Sequence, residues 1–363
     1  MAIKYLAGNR LWGTNAERLA MTTESFAQTS WKVIDSDVLT TAGDTLDCNG
    51  SGSGFGNYDN IMFIFYRNSN GSGNITFNGD DAGSNANYSR RYSYNGGLNG
   101  TSTQTGLDGM NVYLNTDYPN FIVGNFRNID GECKVITTSG VETVGGNATT
   151  APNRSNQTTK WSGTDRITRI KITSSPDMAS GTELIVLGSN DAEADSGTNF
   201  WQELGNDSLD STGDDMSVTL SEQKKYLWVN WFCKQYVSGS TETNTQMKFN
   251  GITDHSDLIA RRIWFSSAPS SDTLSADQDN INFADGSIGS MSGSAFIYNK
   301  SDEIKLIIFF LVKARDGDYQ PTQNAGVAIW NKTDTAITSV DLHNTGTGAY
   351  DIGSNMRVFG GEV

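Results

Sequence analysis

Two histidines in 363 residues leave this chain little with which to move protons or hold transition metals. A zinc site needs three or four clustered His or Cys ligands, and no such spacing occurs. His255 lies in Asp254-His255-Ser256, but a catalytic triad is a constellation in space, and adjacent loop residues point apart. His343 ends an apolar segment with no partner evident. The 3 cysteines, Cys48, Cys133 and Cys233, are too few for a disulfide framework. Cys133, aligned with Ile304 of the second half, reads as a small buried hydrophobe. No pair of carboxylates stands out as a glycosidase pair, and the chain is expected not to be an enzyme. Proline is scarce, with 5 residues, and only 18% of residues are charged. A formal net charge of −15 supplies no basic face for phosphates, which argues against nucleic acid as partner. The longest apolar run, residues 306–312, is far shorter than a membrane span, so no insertion into a bilayer is expected.

What the chain does have is a duplicated text. Trp31, Phe77 and Trp161 return as Trp201, Phe249 and Trp330, with offsets that stay between 169 and 172 residues. Asn128, Glu132 and Lys134 return as Asn299, Glu303 and Lys305, and Arg90-Arg91 returns as Arg261-Arg262. Spurious matches would scatter, whereas these keep order and spacing over a unit the size of one globular domain. The division expected is an N-terminal arm with a short helix over residues 1–29, a first repeat over 30–188, an acidic linker over 189–200 and a second repeat over 201–363.

Abundant Gly, Ser, Thr and Asn separate short apolar runs, the pattern of an all-β sandwich or barrel. The fold class expected is two tandem homologous antiparallel β-sandwich domains, jelly-roll-like, after the arm. Residues 61–66 and 227–232 are matched, nearly continuous apolar strands, and residues 306–312 read as a strand buried on both faces. Tyr88, Arg90, Tyr92 and Tyr94 alternate onto one face, with Ile259, Arg261, Ile263 and Phe265 as their counterparts. The mostly apolar character of that face makes it the core side, so Arg90 and Arg261 need a carboxylate or carbonyl partner. The linker is too short for the domains to wander, and a fixed or hinged pair is expected.

Two loop chemistries merit naming. Asn78, Asp80, Asp81 and Asn85 crowd one turn with oxygen donors, and Asn78, Asp80 and Asp81 are the candidates for calcium, the one cofactor these residues suggest. A solvated turn is the default reading of the same residues. Tyr92 and Tyr94, beside Asn95-Gly96-Gly97, and Trp264 in the second repeat offer aromatic faces next to polar groups, a combination that suits sugars. With Asp80, Asp81 and Asn85 they are the candidate binding residues. Tyr5, Leu6, Leu11 and Trp12 put apolar surface on the arm, outside any repeat, and mark it as an assembly segment.

Several strings resemble duplicated surface proteins of marine tailed phages and archaeal viruses. They are Tyr5-Leu6-Ala7-Gly8-Asn9-Arg10, Gly13-Thr14-Asn15-Ala16-Glu17-Arg18, Phe77-Asn78 with Tyr88-Ser89-Arg90-Arg91, Ala151-Pro152-Asn153-Arg154 and Lys160-Trp161. The resemblance implies an all-β virion or virus-associated surface protein and brings no catalytic residues. The second repeat lacks counterparts of residues 81–85 and of Asn153-Arg154, which makes the first repeat the binder if either binds. The expectation is a non-enzymatic capsid-decoration, spike or tail-fibre protein on the virion surface, contacting itself (a homo-oligomer, trimeric in the simplest case), other virion proteins and host surface glycans. Residues 1–23 lack the apolar stretch of a secretory signal, so synthesis in the host cytoplasm is expected. A double jelly-roll major capsid protein is the second reading, and a cellular carbohydrate-binding or adhesion module the third.

Overall fold

The computed structural model describes residues 31–50, 55–68, 72–80, 87–95, 101–107, 109–111, 119–143, 151–190, 199–234, 244–251, 258–265, 272–283, 289–314 and 322–363. Of these, residues 72, 101–107, 111, 258–265 and 272–278 are described by their backbone alone. The arm residues Tyr5, Leu6, Leu11 and Trp12, the expected helix, and Asp81, Asn85 and His255 all lie outside the described residues.

Each half is built from the same set of strands. The first contains β1 (Lys32–Val38), β2 (Gly43–Cys48), β3 (Asn60–Arg67), β4 (Ser72–Phe77), β5 (Tyr88–Tyr94) and β6 (Thr101–Leu107). It continues with β7 (Met110–Asn111), β8 (Asn120–Arg127), β9 (Lys134–Glu142), β10 (Asn153–Trp161), β11 (Ile170–Met178) and β12 (Glu183–Ser189). The second contains β13 (Gln202–Ser208), β14 (Asp215–Thr219), β15 (Tyr226–Cys233), β16 (Thr245–Phe249), β17 (Leu258–Phe265) and β18 (Asp272–Gln278). It ends with β19 (Ile281–Asn282), β20 (Met291–Tyr298), β21 (Lys305–Lys313), β22 (Thr322–Trp330), β23 (Ser339–Asn344) and β24 (Asn355–Gly361).

An 8-stranded sheet ordered β1-β12-β3-β8-β9-β10-β5-β6 faces a 4-stranded sheet ordered β2-β11-β4-β7. The second half repeats both orders, each strand twelve places further along: β13-β24-β15-β20-β21-β22-β17-β18 over β14-β23-β16-β19. The strand pairings within these sheets are antiparallel, and the first strand of each half pairs with the last, the second with the last but one. That nesting is the roll expected of a jelly-roll-like sandwich. The two halves are tandem antiparallel β-sandwiches, and their landmark rings are equally spaced: Phe77 and Trp161 have centroids 5.9 Å apart, as do Phe249 and Trp330.

Alternation assigns the inner faces. Phe63, Phe65, Ile75, Phe77, Ile122 and Trp161 fill the first core, and Val229, Trp231, Met247, Phe249, Phe309 and Trp330 the second. Two inner rings lie flat on a neighbouring strand, where only glycine leaves room. A Cβ at Gly124 would stand 2.1 Å from the Phe63 ring, and one at Gly293 would stand 2.2 Å from Trp231.

The outer faces of the large sheets are buried too. Met62, Ile64, Tyr66, Phe121, Val123, Val141, Ile185 and Leu187 of the first half form one cluster with residues of the second. Those residues are Phe200, Trp201, Tyr226, Tyr298, Leu306, Ile308, Val327, Ile329 and Phe359. The molecule is therefore four layers deep, with the two 8-stranded sheets back to back, β9 against β21 and β10 against β22. This seam explains why β3 and β21 are apolar at successive positions. A strand covered on both sides has no polar side to alternate with. The expected fixed pair of domains is held here, and Phe200 N–H donates to the Trp31 carbonyl at 2.8 Å where the second half begins.

One expected equivalence fails. Trp161 lies opposite Tyr88, and Trp330 lies opposite Leu258. Arg90 therefore corresponds to Ala260, and Arg261 is one place out of step. The doublets match as text, but a one-residue slip moves a side chain to the opposite face of a strand.

Because the seam buries both halves at once, they should unfold as a unit. Ile308→Ala, at a site 1% exposed, is expected to cost about 2–4 kcal/mol. Urea denaturation followed by Trp fluorescence should show one transition shifted to lower urea. Two separated transitions, with only the second half's shifted, would show that the seam does not couple the sandwiches.

Candidate functional site

The polar residues shared by the two repeats turn out to hold the scaffold. Asn78 and Asn250 both adopt φ 53°, the left-handed turn conformation that Asn tolerates. The Oδ1 of Asn78 accepts from Thr168 N–H at 2.7 Å and its Nδ2 donates to the Arg166 carbonyl at 2.8 Å. Asn250 makes the same bonds to Thr338 and Ala336. Asn128 clips Phe55 and Ile167, and Asn299 clips Lys224 and Ile337. The ammonium of Lys134 donates to the carbonyls of Glu132 and Thr164, and that of Lys305 to those of Ser301, Glu303 and Lys332. Burial lowers both lysines, Lys305 to about 8.

Two of the calcium candidates, Asn78 and Asp80, have roles in the fold, and the third, Asp81, lies outside the described residues. Asn78 is spent on its turn, and Asp80 accepts from the Trp161 indole at 2.7 Å and from Asn87 Nδ2 at 3.3 Å. Among the described residues no three His, Cys, Asp or Glu side chains gather as a metal site. Two readings need correction. Cys133 is exposed rather than buried, because the turn it occupies stands clear of the core on which Ile304 packs. His343 does have a partner, Asp215 on the adjacent strand.

Tyr92 and Tyr94 lie on the inner face of β5 and are half-buried, with Tyr94 packed against the first core. Arg90, on the same face and 6% exposed, lies 4.8 Å over the Tyr92 ring and donates to Gln157 Oε1 at 3.4 Å. The buried guanidinium thus has an aromatic face and a side-chain carbonyl oxygen among its partners. Trp264 is placed opposite Asn324 on β22.

What sequence reasoning missed is a polar row along the inner face of the first sandwich. Arg67, Asn120, Glu142 and Asn153 are in register across β3, β8, β9 and β10, and all four are buried. Turned to accept, the Asn120 amide oxygen is 2.7 Å from Arg67 Nη2 and 3.0 Å from Nε. Asn153 Nδ2 donates to Glu142 at 3.0 Å, and Asn95, at φ 51°, donates to Asn153 at 2.9 Å. Burial pulls the Arg67 guanidinium down, and the charge of Glu142 opposes it. The second sandwich has Cys233, Met291, Lys313 and Thr322 in the same register. No periodicity distinguishes a buried polar row from an exposed one, but the mismatch between aligned repeats was there to be seen.

A second polar cluster lies in the seam. The Tyr66 and Tyr298 rings stack 3.8 Å apart, and both hydroxyls bond Glu303, which Lys300 also reaches at 2.6 Å. Tyr226 donates to Glu183 at 2.8 Å beside Lys225. Arg154, 1% exposed, donates across the seam to the Ala325 carbonyl at 3.2 Å. Burial first, and then the nearby carboxylates and phenols, hold Tyr66, Tyr226 and Tyr298 above the ordinary phenol range.

Two outcomes follow for stability. Glu142→Leu alone removes the negative charge that offsets burial of the Arg67 guanidinium and is expected to cost about 3–5 kcal/mol, whereas Arg67→Met with Glu142→Leu should recover most of it. A double-mutant cycle in urea measures that coupling, and additive losses would show that the two charges do not couple. For the seam, phenols raised on folding contribute stability that is complete below the unfolded value of about 10 and is lost as pH climbs beyond it. Tyrosinate absorbance should therefore appear together with unfolding above that pH, and Tyr226→Phe should flatten the loss.

Comparison with known proteins adds little. No protein-family model matches the chain, and no curated protein matches it. Among solved structures, domains LG4-5 of the mouse laminin alpha1 chain align over 92% of this chain and 91% of theirs, at 10% identity. The TM-score is 0.15, too low to carry an argument.

Proposed function

We propose that the chain is a non-enzymatic structural protein of a virion surface, of the capsid-decoration, spike or tail-fibre type. The observation that carries this reading is the seam, which makes two sandwiches into one stiff body. Most of the candidate chemistry inside that body is absorbed by turns, clips and ion pairs. A four-layer β body suits a part that must project and hold its shape. Within this reading residues 1–29, with Tyr5, Leu6, Leu11 and Trp12, attach the body to its neighbours in a homo-oligomer and to other virion proteins. Burying several such side chains at about 25 cal/mol per Å² of apolar surface is enough to fasten an arm. Immunogold labelling of purified particles with antibody to the chain tests the reading. Gold on the capsid or tail is the expected result. Gold confined to cell envelopes, or its absence from particles, would overturn it.

A further inference from the structure

We propose that the inner face of the first sandwich, where β5, β10 and β9 lie side by side, is a saccharide-binding hollow. Tyr92 and Tyr94 would be its aromatic wall, with Gln157, Ser155 and Thr138 as its hydrogen-bonding floor. The inference names a ligand class for a surface protein but does not depend on where in a particle the chain resides.

The second sandwich is the internal control. In the first, one row across the face reads Tyr92, Gln157, Thr138, and the next reads Tyr94, Ser155, Gly140. The matching positions on β22 and β21 are Gly326 with Phe309, and Asn324 with Leu311. Where the second sandwich fills its interior with a phenyl ring and an isobutyl group, the first has a threonine and a glycine. Phe309 and Leu311 are buried, at 0% and 3% exposure, whereas Thr138, Ser155, Tyr92 and Tyr94 are all half-buried. The second sandwich therefore fills this part of its interior with apolar side chains around the single buried amide of Asn324, and an interior that gives up that apolar volume for further amides and hydroxyls does so at a cost in stability. Departures from the core pattern of this kind are expected at functional sites.

The chemistry left in the hollow matches a sugar. Gln157 is held by Arg90 on its oxygen and by its own bond to Thr159 Oγ1 at 2.8 Å. A primary amide has two acceptor lone pairs and two N–H groups, so one of each remains, side by side in a plane. That donor-acceptor pair is complementary to vicinal hydroxyls, and Ser155 and Thr138 add hydroxyls on either side. Arg90 packs over Tyr92 and fixes the plane of a ring on which the C–H face of a pyranose can lie. Cross-strand neighbours stand about 5 Å apart, so Tyr92 to Thr138, two strands over, spans about 10 Å, which accommodates one pyranose. A groove preorganised by its own hydrogen bonds needs little reordering on binding.

The test uses the full chain and a panel of methyl glycosides of glucose, galactose, mannose, N-acetylglucosamine and glucuronic acid, read by saturation-transfer NMR, with a glycan array in parallel. At least one glycoside or array class should bind. Thr138→Phe with Gly140→Leu, which copies the filled interior of the second sandwich, should weaken that binding at least tenfold while keeping or raising the melting temperature. Should that variant fail to fold, Gln157→Leu and Tyr92→Ala carry the same test, each expected to weaken binding tenfold. Failure of every saccharide to bind, or unchanged binding in the folded variants, would overturn the proposal. Either result leaves the particle-labelling outcome independent.

Discussion

Everything in this chain answers to one contact, the burial of two large sheets against each other. A sheet that packs on one face alone alternates apolar and polar residues. The sheets here have no wet side along the seam, and Met62, Ile64 and Tyr66 must be as apolar as Ile61, Phe63 and Phe65 between them. The same demand makes β21 read as one apolar run and places three phenols in a region where each must find a carboxylate or another ring. Away from the seam the requirement lapses, and Thr158 and Lys160 on β10 are exposed.

Much of this was legible in the sequence. The duplication and the strand content follow from spacing and alternation and are present, and the run at residues 306–312 is buried on both faces as far as Phe309, while Val312 near its end is exposed. Arg90 was correctly placed on the inner face, because three aromatic neighbours at even spacing fix the parity of that strand. Arg261 was misplaced for an instructive reason. Text alignment rewards identical letters, whereas a strand is indexed by its partner, and Trp330 pairs one residue earlier than the doublet suggested. Cys133 was misread because its aligned neighbour Ile304 packs where Cys133 itself does not. The row from Arg67 to Asn153 escaped because its members lie far apart in sequence and meet only through register.

Comparing the halves separates two kinds of polar residue. Those kept in both copies, Asn78 with Asn250, Asn128 with Asn299 and Lys134 with Lys305, satisfy backbone groups that any copy of this fold would leave unpaired. Asp37 and Asp207 belong with them. Each sits on the edge strand of a large sheet and accepts a backbone N–H from the edge of the small one, Asp47 N at 2.8 Å and Ser217 N at 2.8 Å. Together with the bulges in β1 and β13, carboxylates on the edges discourage another strand from adding there. Those found in a single copy, such as Glu142 and Gln157, have no such architectural excuse.

The back-to-back arrangement also bears on history. Two equivalent sandwiches that meet through the same sheet face are what a dimer of identical single domains would look like. Joining them by a short linker makes a concentration-dependent encounter intramolecular, with an effective concentration in the millimolar range for a short flexible tether. Once tethered, the partners cannot exchange, and each surface needs to recognise only its one neighbour. The pairs that lock this seam have no mirrored counterparts: Tyr66 and Glu303 on one side, Glu183 with Tyr226 on the other. Fusion thus frees a former self-association to become a specific union of unlike halves, and it releases one interior from the duties of the other.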